Sequence, residues 1–383
     1  MPDTKTLADR LKPLFDENFT HRGELGAAVS VWHEGKPLVN LHGGFCDAGR
    51  ERPWNSDTLV LVWSATKGIG SACLLHALQE HRIDLARKVS EFWPAFAGSG
   101  KGGVSISVLM SHSAGLCVLD HAVDILDYED VIRALEVQAP IWEPGTAHGY
   151  HARTFGFLVD ELTRRITGLS TSDYWRRVFA EPLGLDFWIG LPNELNPRVA
   201  TIYAAKAGGS PEPANFYRDL ATPGTLQQRT FASPKGLQSV NAMNKPEIRA
   251  HPLVSFGGIG SADALAKFFG MLANGGVMEG HRYFEADTIR SMSEVLIHGQ
   301  DQVFEIPTAF SAGFMASWAS DHMFGPSGCG FGHPGAGGSH TFADLKNRIG
   351  FAYVMNQMQQ TVLPNEKSLC LVEALYANHE KSF

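Results

Sequence analysis

The chain has 383 residues, of which 44% are hydrophobic and 19% are charged, as in an ordinary soluble globular protein. Lys and Arg total 32 against 40 Asp and Glu, and the resulting net charge of −8 argues against nucleic acid or an anionic membrane surface as a partner. We therefore expect a small-molecule partner, and both a monomer and a homo-oligomer remain open.

The N-terminal segment and the cysteines indicate the cellular setting. No apolar stretch is long enough to span a bilayer, and residues 1–10 lack the apolar run and cleavage site of a secretory signal. They predict instead the start of an amphipathic helix, with Leu7, Leu11 and Leu14 at helical spacing. We expect a reduced, cytoplasmic protein without a metal or other cofactor, because the cysteines form no C-x-x-C pair and are scattered: Cys46, Cys73, Cys117, Cys329 and Cys370.

The first half of the chain begins with strands and continues with helices. Residues 27–33 and 38–43 are β-rich runs joined by a Gly/Pro turn, which predicts a hairpin. Residues 63–78 are apolar nearly all round and predict a buried helix. From about residue 84 to 250 the pattern is mostly helical, with helices predicted near residues 107–110, 128–136, 154–167 and 172–178.

The second half returns to strands. Residues 204–245 are rich in Gly, Pro, Ser and Gln and predict a long connection or lid, a feature that usually has a function. A helix over residues 262–274 ends at Gly275-Gly276. Antiparallel strands and a closing helix follow, predicted over residues 310–319, 339–344, 349–356 and 366–376.

This order of elements predicts an α/β fold of the α+β type. A sheet-rich domain would be built from residues 1–65 and 250–383, with an antiparallel sheet flanked by helices. A mainly helical domain, residues 66–249, would be inserted between these two parts and would include the lid-like segment 204–245.

Ser64-Ala65-Thr66-Lys67 lies where the chain enters the predicted buried helix. Positions three apart share a helix face, so the Ser64 hydroxyl and the Lys67 amine can meet. A lysine can take the serine proton only if its pKa falls well below the usual value, and burial and a helix N-terminus both promote this. A Ser-x-x-Lys string alone is a weak signal, but its position at the start of an apolar helix indicates a nucleophile and its base.

Two later segments supply further candidate groups. Tyr150 follows the turn Pro144-Gly145 and is predicted at the mouth of a cleft, where a phenol near an ammonium group ionises more easily and passes protons to a leaving group. Residues 330–338 contain five glycines, which let backbone N–H groups approach a substrate as an oxyanion hole requires. A packed tyrosine and a bulged edge strand are the structural alternatives for these two segments.

Together these segments resemble the serine β-lactamase/penicillin-binding-protein superfamily, and in particular its β-lactamase-like carboxylesterases, the family VIII esterases. The order Ser64-x-x-Lys67, Tyr150 and His333-Pro334-Gly335 is the order of the family's motifs, and the likeness covers nearly the whole chain. Similar segments are 109–116, 142–150 and 182–185.

The resemblance implies a role for each site residue. Ser64 would be the nucleophile and Lys67 its activating base, and Tyr150 would act as the base and acid that relays the proton to the leaving group. The backbone N–H groups of Ser64 and Ala336 would form the oxyanion hole. His333 and Gly335 would contact the substrate, and the site would lie in the cleft between a mixed α/β lobe and a helical lobe.

Two departures from the β-lactamase pattern favour an esterase. The segment around Tyr150 is Tyr-His-Ala instead of Tyr-x-Asn, and the late motif is His-Pro-Gly instead of Lys-Thr-Gly. Both changes remove polar side chains that would recognise a β-lactam. We therefore expect a serine hydrolase of small carboxylic esters, possessing at most weak β-lactamase activity.

Several alternatives share the same acyl-enzyme: a β-lactamase, a D-amino-acid peptidase or amidase, and an acyltransferase. A catalytically inactive scaffold is the non-enzyme alternative, which the presence of Ser64, Lys67 and Tyr150 argues against. An α/β-hydrolase is disfavoured because the chain lacks a Gly-x-Ser-x-Gly elbow, and the histidines show no metal-ligand spacing. His112, His148 and His151 are interpreted as structural.

Overall fold

The computed structural model describes residues 4–206, 213–318 and 322–377. Its α-helices are α1 Thr4–Thr20, α2 Ala65–Glu80, α3 Ile106–Met110, α4 Tyr128–Val137, α5 Phe155–Thr167, α6 Thr171–Trp175, α7 Glu181–Leu183, α8 Ala214–Leu220, α9 Leu226–Ala232, α10 Pro246–Arg249, α11 Ala262–Ala273, α12 Ala286–Ser293 and α13 Glu366–Tyr376. Its strands are β1 Gly26–His33, β2 Lys36–Gly44, β3 Val60–Leu61, β4 Phe187–Ile189, β5 Gly258–Gly260, β6 Val277–Met278, β7 His281–Arg282, β8 Ile297–Gln300, β9 Pro307–Phe310, β10 Met315–Ala316, β11 Gly330–Gly332, β12 His340–Asp344 and β13 Ile349–Met355.

The main sheet joins the two ends of the chain. Its strand order is β2-β1-β13-β12-β11-β10-β9-β8, and the paired strands are antiparallel. Near one edge Val29 of β1 is paired with Leu41 of β2 on one side and with Tyr353 of β13 on the other. The predicted hairpin and the predicted antiparallel sheet are therefore present, and the predicted fold class is confirmed.

Helices cover both faces of this sheet, which explains why its central strands are almost continuously buried. Successive side chains of a strand point to opposite faces. Val29 and Val31 belong to the core cluster that includes Leu7 of α1 and Leu371 of α13. The alternate residue Trp32 points towards α11, where its indole N–H donates a 2.9 Å hydrogen bond to Asp263.

The helical part of the chain packs around α2. This helix is buried from Ala65 to Leu78, as its uniformly apolar sequence predicts, and it packs against α5 and α6. The short strands β3, β5 and β4 form a second sheet beside it, so the inserted segment contributes strand β4. The proposed division into residues 1–65 with 250–383 and residues 66–249 stays a prediction.

Two predicted elements were wrong in detail. Residues 310–319 do not form one strand: the chain reverses between β9 and β10, where the Ser311 N–H donates to the Phe314 carbonyl oxygen at 2.9 Å. Gly313 allows this reversal because its φ is +86°, and residue 319 lies outside the described residues. Segment 204–245 is not a plain connection, since it contains α8 and α9, and its residues 207–212 are not described.

The remaining predicted elements agree with the structure within a few residues. Near residues 172–178 the chain forms α6, which continues as a π-helix over Arg176–Ala180. Across residues 4–206, 213–318 and 322–377, no helix is both long enough and apolar enough to cross a membrane.

Candidate active site

Ser64 is presented at the start of the buried helix α2. It occupies the N-cap position with φ −66° and ψ −11°, and its hydroxyl makes no capping hydrogen bond to the helix. The preceding residue, Trp63, has a φ of +51°, which is uncommon for a residue with a side chain and often marks a functional turn. The Ser64 hydroxyl is half-buried and available for chemistry.

Lys67 lies one turn further along α2 and is fully buried. Its Nζ is 3.3 Å from Ser64 Oγ, 2.8 Å from the Ala152 carbonyl oxygen and 2.7 Å from the Ser255 carbonyl oxygen. The predicted contact between the serine hydroxyl and the lysine amine is therefore present. The two backbone carbonyls that hold the amine come from distant parts of the chain and could not be identified from the sequence.

These contacts suit an uncharged amine. Burial lowers the pKa of Lys67 well below its usual value, and no carboxylate among the described residues opposes this effect. A neutral amine has two hydrogens, which the carbonyls of Ala152 and Ser255 accept. Its lone pair is then directed to Ser64, so Lys67 can receive the proton of the Ser64 hydroxyl.

Tyr150 lies beside this pair, but not at the mouth of the cleft as predicted. It is only 3% exposed, and Lys67 Nζ is 4.8 Å from the centre of its ring. Burial raises the pKa of Tyr150 above its usual range, and the nearby Ser64 opposes this only in part. Because burial disfavours the phenolate, the expectation that Tyr150 ionises easily is wrong. The Tyr150 hydroxyl, although close to Ser64, has no hydrogen-bond partner within the described parts of the chain.

A turn that follows β8 holds Tyr150 in place. Asp301 is fully buried, and its Oδ1 accepts hydrogen bonds from the backbone N–H groups of Tyr150, Val303 and Phe304 at 3.2, 2.8 and 2.8 Å. The Phe304 ring also stacks on the Tyr150 ring, with 4.5 Å between the centroids. No sequence pattern indicated this support, since 151 residues separate Asp301 from Tyr150.

His333 is buried near the same tyrosine. Its Nδ1 lies 2.8 Å from the Pro334 carbonyl oxygen, so Nδ1 carries the hydrogen and Nε2 is left as an acceptor. Nε2 is buried and has no partner among the residues that the structure describes. Burial lowers the pKa of His333 to about 3, so this imidazole is neutral. The centres of the His333 and Tyr150 rings are 5.8 Å apart.

Gly335 and Ala336 bring the glycine-rich loop against Ser64. A side chain at Gly335 would place its Cβ 2.1 Å from the Val62 carbonyl oxygen, so this close approach requires glycine. Gly335 thus fixes the distance between the loop and the strand before Ser64. The backbone N–H groups of Ser64 and Ala336 donate no hydrogen bond to the described residues, which leaves both available to a substrate oxygen.

A cavity of about 390 Å³ opens beside Ser64 and Ala336. Most of its wall is apolar, and much of that wall comes from the segment that the sequence suggested as a lid. Lys67, Tyr150, His333 and Gly335 are not among the residues that line it. The described lining residues are Trp63, Ser64, Ala152, Arg153, Leu220, Gln228, Phe231, Ala232, Leu237, Gln238, Val240, Phe256 and Ala336.

The other histidines of this region support the loops. His151 Nε2 accepts a 2.9 Å hydrogen bond from the Leu116 N–H, and its Nδ1 lies 2.7 Å from the Gly149 carbonyl oxygen. His112 Nδ1 accepts from the His151 N–H at 3.0 Å, and His148 Nε2 lies 2.9 Å from Thr308 Oγ1. These contacts agree with the structural interpretation of all three.

The antiparallel sheet with flanking helices, and the helices inserted before its last strands, define a β-lactamase/penicillin-binding-protein fold. The chain belongs to the Beta-lactamase family, whose pattern its sequence matches over residues 14–369. The resemblance noted from the sequence motifs is thereby confirmed.

Similar proteins cover nearly the whole chain. It is 32% identical to the esterase/beta-lactamase LipL of Mycobacterium tuberculosis, over 90% of this chain and 80% of LipL. Among solved structures, a family VIII carboxylesterase is 34% identical with a TM-score of 0.87, over 97% of both chains. A penicillin-binding protein homolog from Caulobacter crescentus is 33% identical with a TM-score of 0.87, also over 97% of both chains.

Proposed function

We propose that this protein is a serine carboxylesterase that cleaves small ester substrates through an acyl-enzyme on Ser64. The observation on which this rests is the environment of Lys67, a buried amine whose Nζ lies within hydrogen-bond distance of two backbone carbonyls and of Ser64 Oγ. The names of its relatives, an esterase/beta-lactamase and a family VIII carboxylesterase, support the same class of reaction.

In the acylation step Lys67 takes the proton of the Ser64 hydroxyl as Oγ attacks the ester carbonyl carbon. The negative charge that develops on the carbonyl oxygen is stabilised by the N–H groups of Ser64 and Ala336. When the bond to the alcohol breaks, Tyr150 gives its proton to the leaving oxygen and regains one from the Lys67 ammonium. The alcohol leaves, and Ser64 carries the acyl group as an ester.

In the deacylation step water takes the place of the alcohol. One of its protons passes to the Lys67 amine as its oxygen attacks the acyl carbon, and Ser64 Oγ leaves with the proton that the Lys67 ammonium returns. Because burial raises the pKa of Tyr150, this residue acts as an acid when the leaving group departs, and not as a standing phenolate. Each cycle therefore consumes one ester and one water and releases one alcohol and one acid.

His333 is assigned to substrate recognition. Its Nε2 is an obligate acceptor, because the Pro334 carbonyl fixes the hydrogen on Nδ1. It can therefore accept a hydrogen bond from a hydroxyl or N–H group, such as that of Tyr150 or of the substrate, but it offers no positive charge. Gly335 contributes by allowing the loop to approach Val62, and we keep it as a substrate-binding residue through its backbone.

The wider assignments accord with this site. The segment 204–245 is proposed to shape the pocket for one part of the ester, since residues from Leu220 to Val240 line the cavity. The chain is proposed to divide at residues 65/66 and 249/250, with the site between the two domains. A small-molecule ester as partner and a cytoplasmic location complete the proposal.

Replacing the nucleophile tests the proposal directly. Ser64→Ala should abolish hydrolysis of 4-nitrophenyl butyrate in purified protein, and it should leave stability unchanged because the Ser64 hydroxyl does not cap α2. Ser105→Ala is the matched control: Ser105 caps α3 by accepting from the Val108 N–H, so it should lose about 1 kcal/mol of stability and keep its activity. More than a few per cent of residual activity in Ser64→Ala would contradict the assignment.

The alternative reactions differ in substrate or acceptor. A side-by-side assay with 4-nitrophenyl butyrate, a chromogenic cephalosporin and a D-alanyl amide separates an esterase from a β-lactamase and from an amidase. Adding an alcohol and measuring the new ester separates hydrolysis from acyl transfer. The β-lactamase alternative is supported by the name of LipL. Failure of a fluorophosphonate probe to label Ser64 would favour the inactive scaffold.

A further inference from the structure

We propose that the ester cleaved at Ser64 carries a carboxylate, and that Arg153 in the wall of the cavity binds this group. The inference rests on the proposed esterase function and specifies its substrate class. Arg153 follows Ala152, whose carbonyl holds Lys67, so the charge lies close to the catalytic groups along the chain. Of the described residues that line the cavity, Arg153 alone is charged.

The Arg153 side chain is held in place without an acidic partner. Its Nη1 donates a 2.8 Å hydrogen bond to the Phe231 carbonyl oxygen, and its Nη2 donates to the Gly236 carbonyl oxygen. No carboxylate of the described residues comes within ion-pairing distance of the guanidinium, although Arg153 is only 5% exposed. Burial lowers the pKa of Arg153 to about 10, so the group is still positively charged at neutral pH.

A buried, unpaired charge is costly, and two other buried cations, Lys367 and Lys67, avoid it. Arg249 is bonded to neutral groups as Arg153 is, but it does not line the cavity. Lys367, which is 1% exposed, donates a 3.0 Å hydrogen bond to the buried carboxylate of Glu24. Burial lowers the pKa of Lys67 well below its usual value, which favours its uncharged form. Arg153 does neither, because a guanidinium remains protonated and the described residues supply only neutral carbonyl groups. An anionic substrate group would provide the missing counter-charge.

A second observation concerns two hydrogen-bond donors near Phe256. The Phe256 ring is 5.6 Å from the Arg153 guanidinium carbon and 6.4 Å from the Trp63 ring, and all three residues line the cavity. Arg153 Nε and Trp63 Nε1 are both buried, and neither has a partner among the described residues. Buried N–H groups are rarely left unpaired, so this wall is suited to a ligand that supplies oxygen acceptors. A carboxylate supplies two.

The test compares esters that differ only in the charge of this group. Mono(4-nitrophenyl) glutarate has a free carboxylate on the acyl side, and its methyl ester has the same chain with the charge masked. We expect the wild type to prefer the free acid by roughly tenfold or more in kcat/KM, since hydrogen bonds to charged groups are stronger than those between neutral groups. 4-(Butyryloxy)benzoate and its methyl ester place the same difference on the alcohol side.

Variants assign the preference to Arg153. Arg153→Met should reduce the ratio of kcat/KM for the free acid to kcat/KM for the methyl ester to about one. Arg153→Lys should keep part of the preference for the free acid. The ratio within each variant cancels any loss of folded protein. Arg249→Met is the matched control, because Arg249 is also buried and bonded to neutral groups but does not line the cavity. It should keep the wild-type ratio.

The outcomes separate this proposal from a purely structural role of Arg153. A preference in either pair of esters that Arg153→Met removes supports the proposal and identifies the side that carries the carboxylate. No preference in either pair, or a preference that survives in Arg153→Met, overturns it. Calorimetric binding of monomethyl and dimethyl glutarate to Ser64→Ala protein requires no turnover. If Ser64→Ala binds monomethyl glutarate more tightly than dimethyl glutarate, but the wild type hydrolyses no ester, the esterase function is rejected and the anion site is retained.

Discussion

Replacement of Asp301 by asparagine should change the pH dependence of stability in a defined direction. Burial raises the pKa of Asp301 to about 6, although three backbone N–H groups and Thr308 favour its charged form. In the unfolded chain an aspartate titrates near roughly 3.9. Between these two values the folded protein holds a proton that the unfolded chain has lost, so the free energy of unfolding falls as the pH rises.

The structure gives the size of this effect. The interval from about 3.9 to about 6 corresponds to about 3 kcal/mol in total, of which about 2 kcal/mol falls between pH 4.5 and pH 7. The asparagine side chain would keep an oxygen for the N–H groups of Tyr150, Val303 and Phe304, so the fold should survive. The free energy of unfolding of the wild type, minus that of Asp301→Asn, should therefore fall by about 2 kcal/mol across this range.

Urea unfolding at several pH values measures this difference, and contributions of the other titrating groups cancel in it. Asp47→Asn is the control. Asp47 is half-buried, and backbone N–H groups, that of Glu51 first, lower its pKa. Its titration therefore affects stability below pH 4.5, and the corresponding difference should stay level between pH 4.5 and pH 7. If the difference in the free energy of unfolding between wild type and Asp301→Asn also stays constant over this pH range, the raised pKa that burial gives to Asp301 is refuted.

Three further outcomes are expected. Because the pKa of Lys67 is far below its usual value, kcat/KM should not rise between pH 8.5 and 10, and a steep rise near pH 10 would contradict the lowered pKa. Lys67→Met should lose roughly 10²–10⁴-fold in kcat. Gly335→Ala should lose activity and stability because its Cβ would lie 2.1 Å from the Val62 carbonyl oxygen. Gly103→Ala is the control, since its added Cβ would lie in open space, and it should resemble the wild type in activity and urea unfolding. Leu237→Trp should fill part of the 390 Å³ cavity and lower kcat/KM for long-chain esters more than for acetate, and an unchanged chain-length profile would exclude this wall from substrate contact.

Local relations along the chain were readable from the sequence. The spacing of Ser64 and Lys67 puts them on one face of a helix, and the Ser64–Lys67 contact follows from helix geometry alone. The hairpin, the all-round apolar helix α2 and the terminal strands follow from patterns of similar range. The motif order that ends at His333 and Gly335 identified the family, which the match over residues 14–369 confirms.

The local sequence pattern predicted the wrong structure where a contact with a distant residue determines the backbone conformation. Residues 310–316 have the composition of a strand, but the chain turns at Gly313, whose added Cβ would lie 2.2 Å from Ser71 Oγ of α2. The reversal allows the Gly313 carbonyl oxygen to accept a 2.9 Å hydrogen bond from Ser71. Nothing within the segment itself encodes that partner.

The protonation states of the site were likewise decided by tertiary structure. Ser255, 188 residues away, supplies one of the two carbonyls that hold the Lys67 amine. The pKa of Lys67 lies well below its usual value because packing removes water from the amine. Tyr150 is an acid and not a phenolate for the same reason, and Asp301 fixes its position from 151 residues away. The sequence by itself determined which groups are neighbours on a helix and which family they belong to. The charge of each group depends on the solvent and dipoles around it, and these are set only when remote segments pack together.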